Sequence, residues 1–127
     1  MAEQQNINAI ALQLMQFQNT VKLYHWHTPS YARHKASDRL FNNMVQLIDK
    51  FMETMQGGRG LRVSITKASL SVATLDDNTI SAYLHAVGSW LVSQLPLLLL
   101  PDDTELLNIR DELLEAVNQT LYLFTFK

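Results

Sequence analysis

The sequence predicts an all-α protein, an antiparallel four-helix bundle with a long crossover between helices 2 and 3. Apolar residues recur at three- and four-residue steps in four separate stretches, which is the period of an amphipathic helix. Breaking and capping residues separate the stretches, and the first and last connections are short. The chain has 127 residues, the size of an ordinary domain, so we expect a single domain over residues 1–127.

The first two helices follow from apolar faces and breakers. Thr28-Pro29-Ser30 ends the first helix, because the residue before a proline avoids the helical region. The second helix is expected from about Arg33 to Gln56, with Gly57–Gly58 as its C-terminal cap. The apolar face of the first helix consists of Ile7, Ile10, Ala11, Leu14, Phe17, Val21 and Tyr24, and that of the second of Leu40, Phe41, Met44, Leu47, Ile48, Phe51, Met52 and Met55.

The third helix is expected after Asp76–Asp77–Asn78, whose side chains can cap it, and it should kink or stop at Pro96. Asp102–Asp103–Thr104 predicts the start of the fourth helix. The connection from Gly57 to Leu75 is long for a structureless loop. We therefore expect a short strand-like or helical piece there, packed across the bundle in a crossover that lets helices 2 and 3 run parallel.

Composition excludes several classes of function. There is no cysteine, so disulfide frameworks, thiolate metal sites and cysteine nucleophiles are excluded. The net charge is -2 without a basic block, which argues against a nucleic-acid partner. The apolar run Leu95–Leu100 contains Pro96 and is too short to span a membrane, and no secretory signal is visible. These features predict a cytoplasmic or otherwise intracellular protein.

Metal-ligand side chains form a stripe on the predicted second helix. At about 100° per residue, His34, Asp38, Asp49 and Glu53 all project from one strip roughly 100° wide. Such nitrogen and oxygen ligands suit iron, manganese or zinc. His34 and Asp49 are, however, about 22 Å apart at 1.5 Å per residue, so one ion cannot contact both. The stripe therefore predicts two half-sites.

A symmetric dimer would join these half-sites. If a second copy of the helix packs antiparallel, His34 and Asp38 of one copy face Asp49 and Glu53 of the other. The short connection between helices 1 and 2 should bring His25 beside His34 as a fifth ligand. Any one such residue alone is more often structural or solvated, and the joint spacing is what favours metal binding. Asp38 could instead orient His34 by a hydrogen bond without binding the metal itself.

The segment Tyr24–Glu53 resembles the ferroxidase segment of the mini-ferritins, the Dps proteins. That family has a His-Trp dipeptide at the end of helix 1, then a His with an Asp four residues later, an Asp fifteen residues after that His and a Glu four further on. The stretches Lys22–Trp26 and Ser30–Ala36 are also similar to a ferritin-like family of large DNA viruses. The resemblance implies that the iron ligands are His25, His34 and Asp38 from one copy and Asp49 and Glu53 from the other. It also implies that Trp26 lies beside the site, as a candidate catalytic residue.

The resemblance further implies a ferritin-like fold and a ferroxidase that oxidises Fe(II) with peroxide or oxygen. Zinc or manganese could replace the iron, and twelve copies could close into a shell that stores it. The turn between the histidines is shorter than in mini-ferritins, and the family's basic DNA-binding tail is missing. The alternative is a helical dimer without turnover, with a structural metal or none, that binds a partner protein. Trp26 and Trp90 are most simply core residues, and His85 is expected in the core or an interface.

Overall fold

The computed structural model describes residues 2–127, and within that range it is all-α, with four α-helices and no strand. The helices are α1 (Ala2–His27), α2 (Tyr31–Arg59), α3 (Ile80–Ser89) and α4 (Thr104–Leu123). α2 packs against both α1 and α4, and α3 packs against α4. None of the helices in residues 2–127 is long and apolar enough to cross a membrane. The predicted all-α class with four helices is confirmed.

The predicted end of α2 is wrong by three residues. Gly57 and Gly58 lie inside the helix, and Gly60 ends it at φ +64°, where its N–H bonds to the carbonyl of Gln56. A glycine within a helix costs only about 1 kcal/mol. The ion pairs of Arg59 hold the last turn in place and offset that cost. The helix also begins two residues early, at Tyr31, after Ser30 caps it by accepting the N–H of Arg33 at 3.2 Å.

The buried Arg59 guanidinium joins three helices. Its side chain is 9% exposed, and it lies 2.6 Å from the carboxylate of Glu3 at the start of α1. It also donates to Asp103 at 2.7 Å, just before α4. Asp103 stands at the predicted cap of α4, but its carboxylate accepts bonds from Arg59 and from the N–H of Leu100 rather than capping the helix. The bond from Arg59 lowers the pKa of Asp103 although burial opposes this.

The apolar stripe of α3 continues through a change of helical pitch. A π-helical turn (Trp90–Gln94) and a 3-10 turn (Leu95–Leu98) follow α3. Pro96 lies in the first positions of the 3-10 turn, where its missing N–H breaks no bond. Leu91 and Leu95 stay buried on either side of the transition. The predicted stop near Pro96 thus takes the form of a new helical geometry that begins at Trp90.

Residues 61–79, here called the strap, connect α2 to α3 without an α-helix or strand. The expected strand-like or helical piece is therefore wrong. Side-chain amides of α1 bond the strap's backbone groups, so these groups need no regular structure of their own. The bonded pairs are Gln4 with Arg62, Asn8 with Ser64 in both directions, and Gln16 with Ser71, all at 2.9 to 3.0 Å.

The core contains the predicted apolar faces with two corrections. Tyr24 and Phe51 are the largest fully buried side chains. Trp90 is partly buried and packs edge-on against Phe17 at 5.5 Å between ring centroids. Trp26 is 69% exposed, so its expected core position is wrong, because it lies on the outer side of the last turn of α1. His85 is also exposed, which excludes the core and leaves an interface role untested.

Candidate metal centre

The turn between α1 and α2 brings His25 and His34 into contact. Their rings stack, with centroids 3.9 Å apart and planes inclined by 19°. His25 is 7% exposed, and His34 is half-buried. The expectation that the short connection places His25 beside His34 is confirmed.

The two histidines bond to each other's backbone. Nδ1 of His25 lies 2.9 Å from the carbonyl oxygen of His34, and Nδ1 of His34 lies 3.0 Å from the carbonyl oxygen of His25. A carbonyl can only accept, so each Nδ1 must carry the hydrogen and donate it. In a neutral imidazole, Nε2 then holds the free lone pair. Metal-binding histidines are commonly oriented by this kind of bond from the nitrogen that does not bind the metal.

Asp38 adds a carboxylate beside the pair. Its Oδ1 lies 3.7 Å from Nε2 of His25, and its side chain is 45% exposed. Two ligand atoms on one ion, each about 2.1 Å from it, are about 3.0 to 3.5 Å apart. The observed separation is slightly wider. Within residues 2–127, no three or more His, Asp or Glu side chains form a group that could hold a metal ion. The donors of one chain are thus neighbours without forming a complete site.

Asp49 and Glu53 lie farther along α2, and both are exposed. α2 is continuous from Tyr31 to Arg59, so Asp49 is about 16 Å beyond Asp38 along the helix axis. The structure of one chain therefore does not bring the second half of the predicted ligand set to the first half. It leaves both acids on the outer surface, open to another molecule.

A partly exposed group of side chains on α1 and α2, here called the α1–α2 face, includes Phe41, which lies one helical turn beyond Asp38. Lys22 places its ammonium 4.4 Å from the ring centroid of Phe41 and 5.7 Å from that of Trp26. Met15 on α1 is exposed, and Val45 on α2 is half-buried. We define the face by these residues, Met15, Lys22, Trp26, Phe41 and Val45.

Asp77 of the strap is the centre of a hydrogen-bond network that the sequence did not predict. Its Oδ1 accepts bonds from the Tyr24 hydroxyl and the Thr28 hydroxyl, both at 2.7 Å. Its backbone carbonyl accepts a bond from Arg33 at 3.1 Å. The sequence signal was the tyrosine on the apolar face of helix 1, because a buried hydroxyl needs a polar partner.

The charge of Asp77 is stabilised within this network. Burial opposes ionisation, but the bonds from Tyr24 and Thr28 and the positive charge of Arg33 hold the pKa of Asp77 below its ordinary value. Burial raises the pKa of the Tyr24 hydroxyl, which keeps it protonated and able to donate. The network therefore combines the Asp77 carboxylate with two hydroxyl donors and the charged guanidinium of Arg33, and Tyr24 and Arg33 directly precede the two histidines in sequence.

Comparisons with known proteins assign the chain to a different family from the one expected. A family model described as "Family of unknown function (DUF5856)" matches residues 25–124. The chain is also similar to an uncharacterized 14.6 kDa protein in the mobD-ri intergenic region of Enterobacteria phage T4, with 51% identity over 47 residues. That stretch covers 35% of this chain and only 37% of the phage protein. No solved structure matches the chain.

The identification as a mini-ferritin, or as a ferritin-like protein of large DNA viruses, is therefore wrong. The matching family model is not that of a ferritin-like family, and the similar phage protein is uncharacterized. The resemblance rested on the spacing of ligand-type residues between Tyr24 and Glu53. The twelve-subunit shell and the stored iron rested on that resemblance alone and stay untested predictions. The match over residues 25–124 includes every candidate ligand and most of the chain, which belongs to the family of unknown function DUF5856.

Proposed function

We propose that this protein binds ferrous iron at sites shared between two copies and oxidises it. The observation that carries the proposal is the reciprocal bonding of His25 and His34, which leaves a lone pair on each Nε2 atom, and the Nε2 atom of His25 lies 3.7 Å from the Asp38 carboxylate. Two imidazoles and one carboxylate suit Fe(II) in non-haem sites. Zinc and manganese accept the same donors and would compete for them.

A second copy would supply the remaining ligands. Along α2, the midpoint between His34 and Glu53 coincides with the midpoint between Asp38 and Asp49. This shared midpoint lies next to Asn43. A twofold axis at that position would set the acids of each copy against the histidine half of the other. The α1–α2 face would be covered in the same contact, which would bury its exposed apolar side chains, Met15 and Trp26.

The proposed reaction moves electrons from iron to peroxide. Two ferrous ions each lose one electron, and one hydrogen peroxide takes both electrons and two protons to give two waters. With dioxygen as the oxidant, four ferrous ions would supply four electrons, and one dioxygen would take them with four protons to give two waters. The carboxylates of Asp38, Asp49 and Glu53 favour the more highly charged ferric product, because they are hard anionic ligands.

We further propose that the strap is a crossover that lets α2 and α3 run in the same direction within an antiparallel bundle. Its contacts support this topology. Successive strap residues bond Gln4, Asn8 and Gln16 in order along α1, and Asp77 then bonds Tyr24 near the end of that helix. The chain would thereby return to the end of the bundle at which α2 began.

The proposal is tested by loading the purified protein with Fe(II) without oxygen, counting bound iron, and then following ferric absorbance after peroxide addition. We expect at least one ion per dimer and a rate above that of iron alone. His34→Ala should lose the bound iron and the oxidation rate above background. His85→Ala changes an exposed histidine outside the site and should retain both properties. Fewer than one ion per dimer and a background rate would contradict the proposal and favour a helical dimer without turnover. Light scattering on the same sample gives the number of copies.

A further inference from the structure

We propose that Asp77 is a positioning residue that keeps His25 and His34 in their metal-binding tautomer. The inference concerns the strap, which contributes no candidate ligand. It rests on the proposed function for its consequence in metal binding, but the effect on the tautomers can be measured without metal.

The contacts of Asp77 reach both helices one residue away from the histidines. Tyr24, which bonds its carboxylate at 2.7 Å, directly precedes His25. Arg33, which bonds its backbone carbonyl at 3.1 Å, directly precedes His34. Asp77 thus links the last turn of α1 to the first turn of α2, and it supplements the direct bond of 3.4 Å from Arg33 to the Tyr24 hydroxyl.

The end of the chain completes this junction. The Arg33 guanidinium lies 4.9 Å from the ring centroid of Phe124 and donates to the Phe124 carbonyl at 3.4 Å. The Tyr24 ring also packs against Phe124, with centroids 5.7 Å apart. The side chains that Asp77 binds are therefore held from behind by the residue that follows α4, so a bond to Asp77 restrains backbone position and not only a mobile side chain.

Restraint at this point controls the imidazole bonds. The reciprocal Nδ1–H to carbonyl bonds are 2.9 and 3.0 Å long, and such bonds weaken steeply as they lengthen or bend. If α1 and α2 shift relative to each other, both bonds are lost together. The rings are then free to carry hydrogen on Nε2, the atom that would bind the metal. Removing the Asp77 carboxylate breaks the bonds to Tyr24 and Thr28 on the α1 side while the backbone bond to Arg33 remains, and this should reduce the fraction of histidine that has Nε2 free to bind.

The test compares Asp77→Ala with the unchanged protein by ¹⁵N nuclear magnetic resonance of the imidazoles. The spectra are recorded without metal and with the imidazoles in their neutral form. We expect His25 and His34 to carry hydrogen on Nδ1 in the unchanged protein and to show mixed tautomers in the variant. Co(II), as a spectroscopic probe, should bind about tenfold or more weakly to the variant. Asp77→Asn keeps an acceptor oxygen for Tyr24 and Thr28. Its tautomer mixture and its affinity for Co(II) should lie between those of the unchanged protein and Asp77→Ala.

Asp103→Asn is the matched control, because Asp103 is also a carboxylate that accepts bonds from other segments, from Arg59 and from the N–H of Leu100, and it bonds neither Tyr24 nor Arg33. It should lower the unfolding midpoint and leave the tautomers unchanged. If Asp77→Ala behaves in the same way, with unchanged tautomers below its unfolding midpoint, the inference is overturned.

Two further outcomes are distinguishable. If Asp77→Ala does not fold, Asp77→Asn and Tyr24→Phe remain, and unchanged tautomers in both would overturn the inference. If the unchanged protein binds neither iron nor Co(II), the proposed function fails, while the tautomer comparison still decides the role of Asp77.

Discussion

Two inactive variants of this protein should restore activity when they are combined in one dimer. His34→Ala removes one ligand from the histidine half of each proposed site, and Asp49→Ala removes one ligand from the acidic half. The two positions are about 22 Å apart on the continuous helix α2, so within one chain they cannot act on the same ion. Each variant alone should therefore have no intact site.

The expected recovery follows from the symmetry. In the mixed dimer, one site joins the unaltered histidine half of one chain to the unaltered acidic half of the other, and the second site lacks both His34 and Asp49. The mixed dimer should thus hold about half of the normal iron, and random pairing of equal amounts should give about one quarter in the whole sample.

The assay uses the two variants with different affinity tags, co-expressed and purified through both tags in succession. Bound Fe(II) per dimer and the initial rate of peroxide-dependent oxidation are then measured. A control with two differently tagged copies of His34→Ala should show neither. No recovery in the purified mixed dimer, or normal binding by either variant alone, would refute a site shared across a twofold axis.

Three further predictions concern stability and association. Asp103→Asn should destabilise the fold by about 3 kcal/mol near neutral pH. The pKa of Asp103 is lowered in the folded state, so its contribution is present above the unfolded value of about 3.9 and is lost as pH falls through the folded value. Urea unfolding at several pH values should therefore show the variant converging on the unchanged protein in acid. Gly60→Ala should cost about 1 to 2 kcal/mol because of the positive φ, whereas Gly57→Ala, with open space around it inside α2, should stabilise by about 0.5 to 1 kcal/mol; a Gly60→Ala variant as stable as Gly57→Ala would contradict this. Trp26→Ala should leave the thermal midpoint of dilute protein nearly unchanged and raise the dissociation constant of the dimer in sedimentation experiments; an unaltered constant would argue against association through the α1–α2 face.

The helices were predictable because their signals are local. Apolar periodicity indicated all four helices, and the three-residue break at Thr28-Pro29-Ser30 implied that His25 meets His34. Helix ends were less certain: Gly57 and Gly58 could end a helix, but Arg59 extends it through ion pairs with residues remote in sequence. The residues next to the helix end do not identify such distant partners.

The finer structure of the site depended on contacts between distant segments. The tautomers of the histidines follow from carbonyl positions that only the folded turn defines. The bond between Tyr24 and Asp77 joins residues 53 positions apart, so Asp77 could only be interpreted from sequence as a helix cap. The family was also misjudged, because the spacing of ligand-type residues on one helix restricts the geometry of a site much more strongly than it restricts ancestry.

The bonds between α1 and the strap have a consequence for how this part of the protein can change. Gln4, Asn8 and Gln16 bind peptide groups of the strap, which every residue except proline presents in the same form. The path of the strap is therefore determined largely by side chains of α1. The strap's own side chains contribute little to that path. This arrangement leaves the strap a surface on which substitutions can accumulate without moving the carboxylate at its far end.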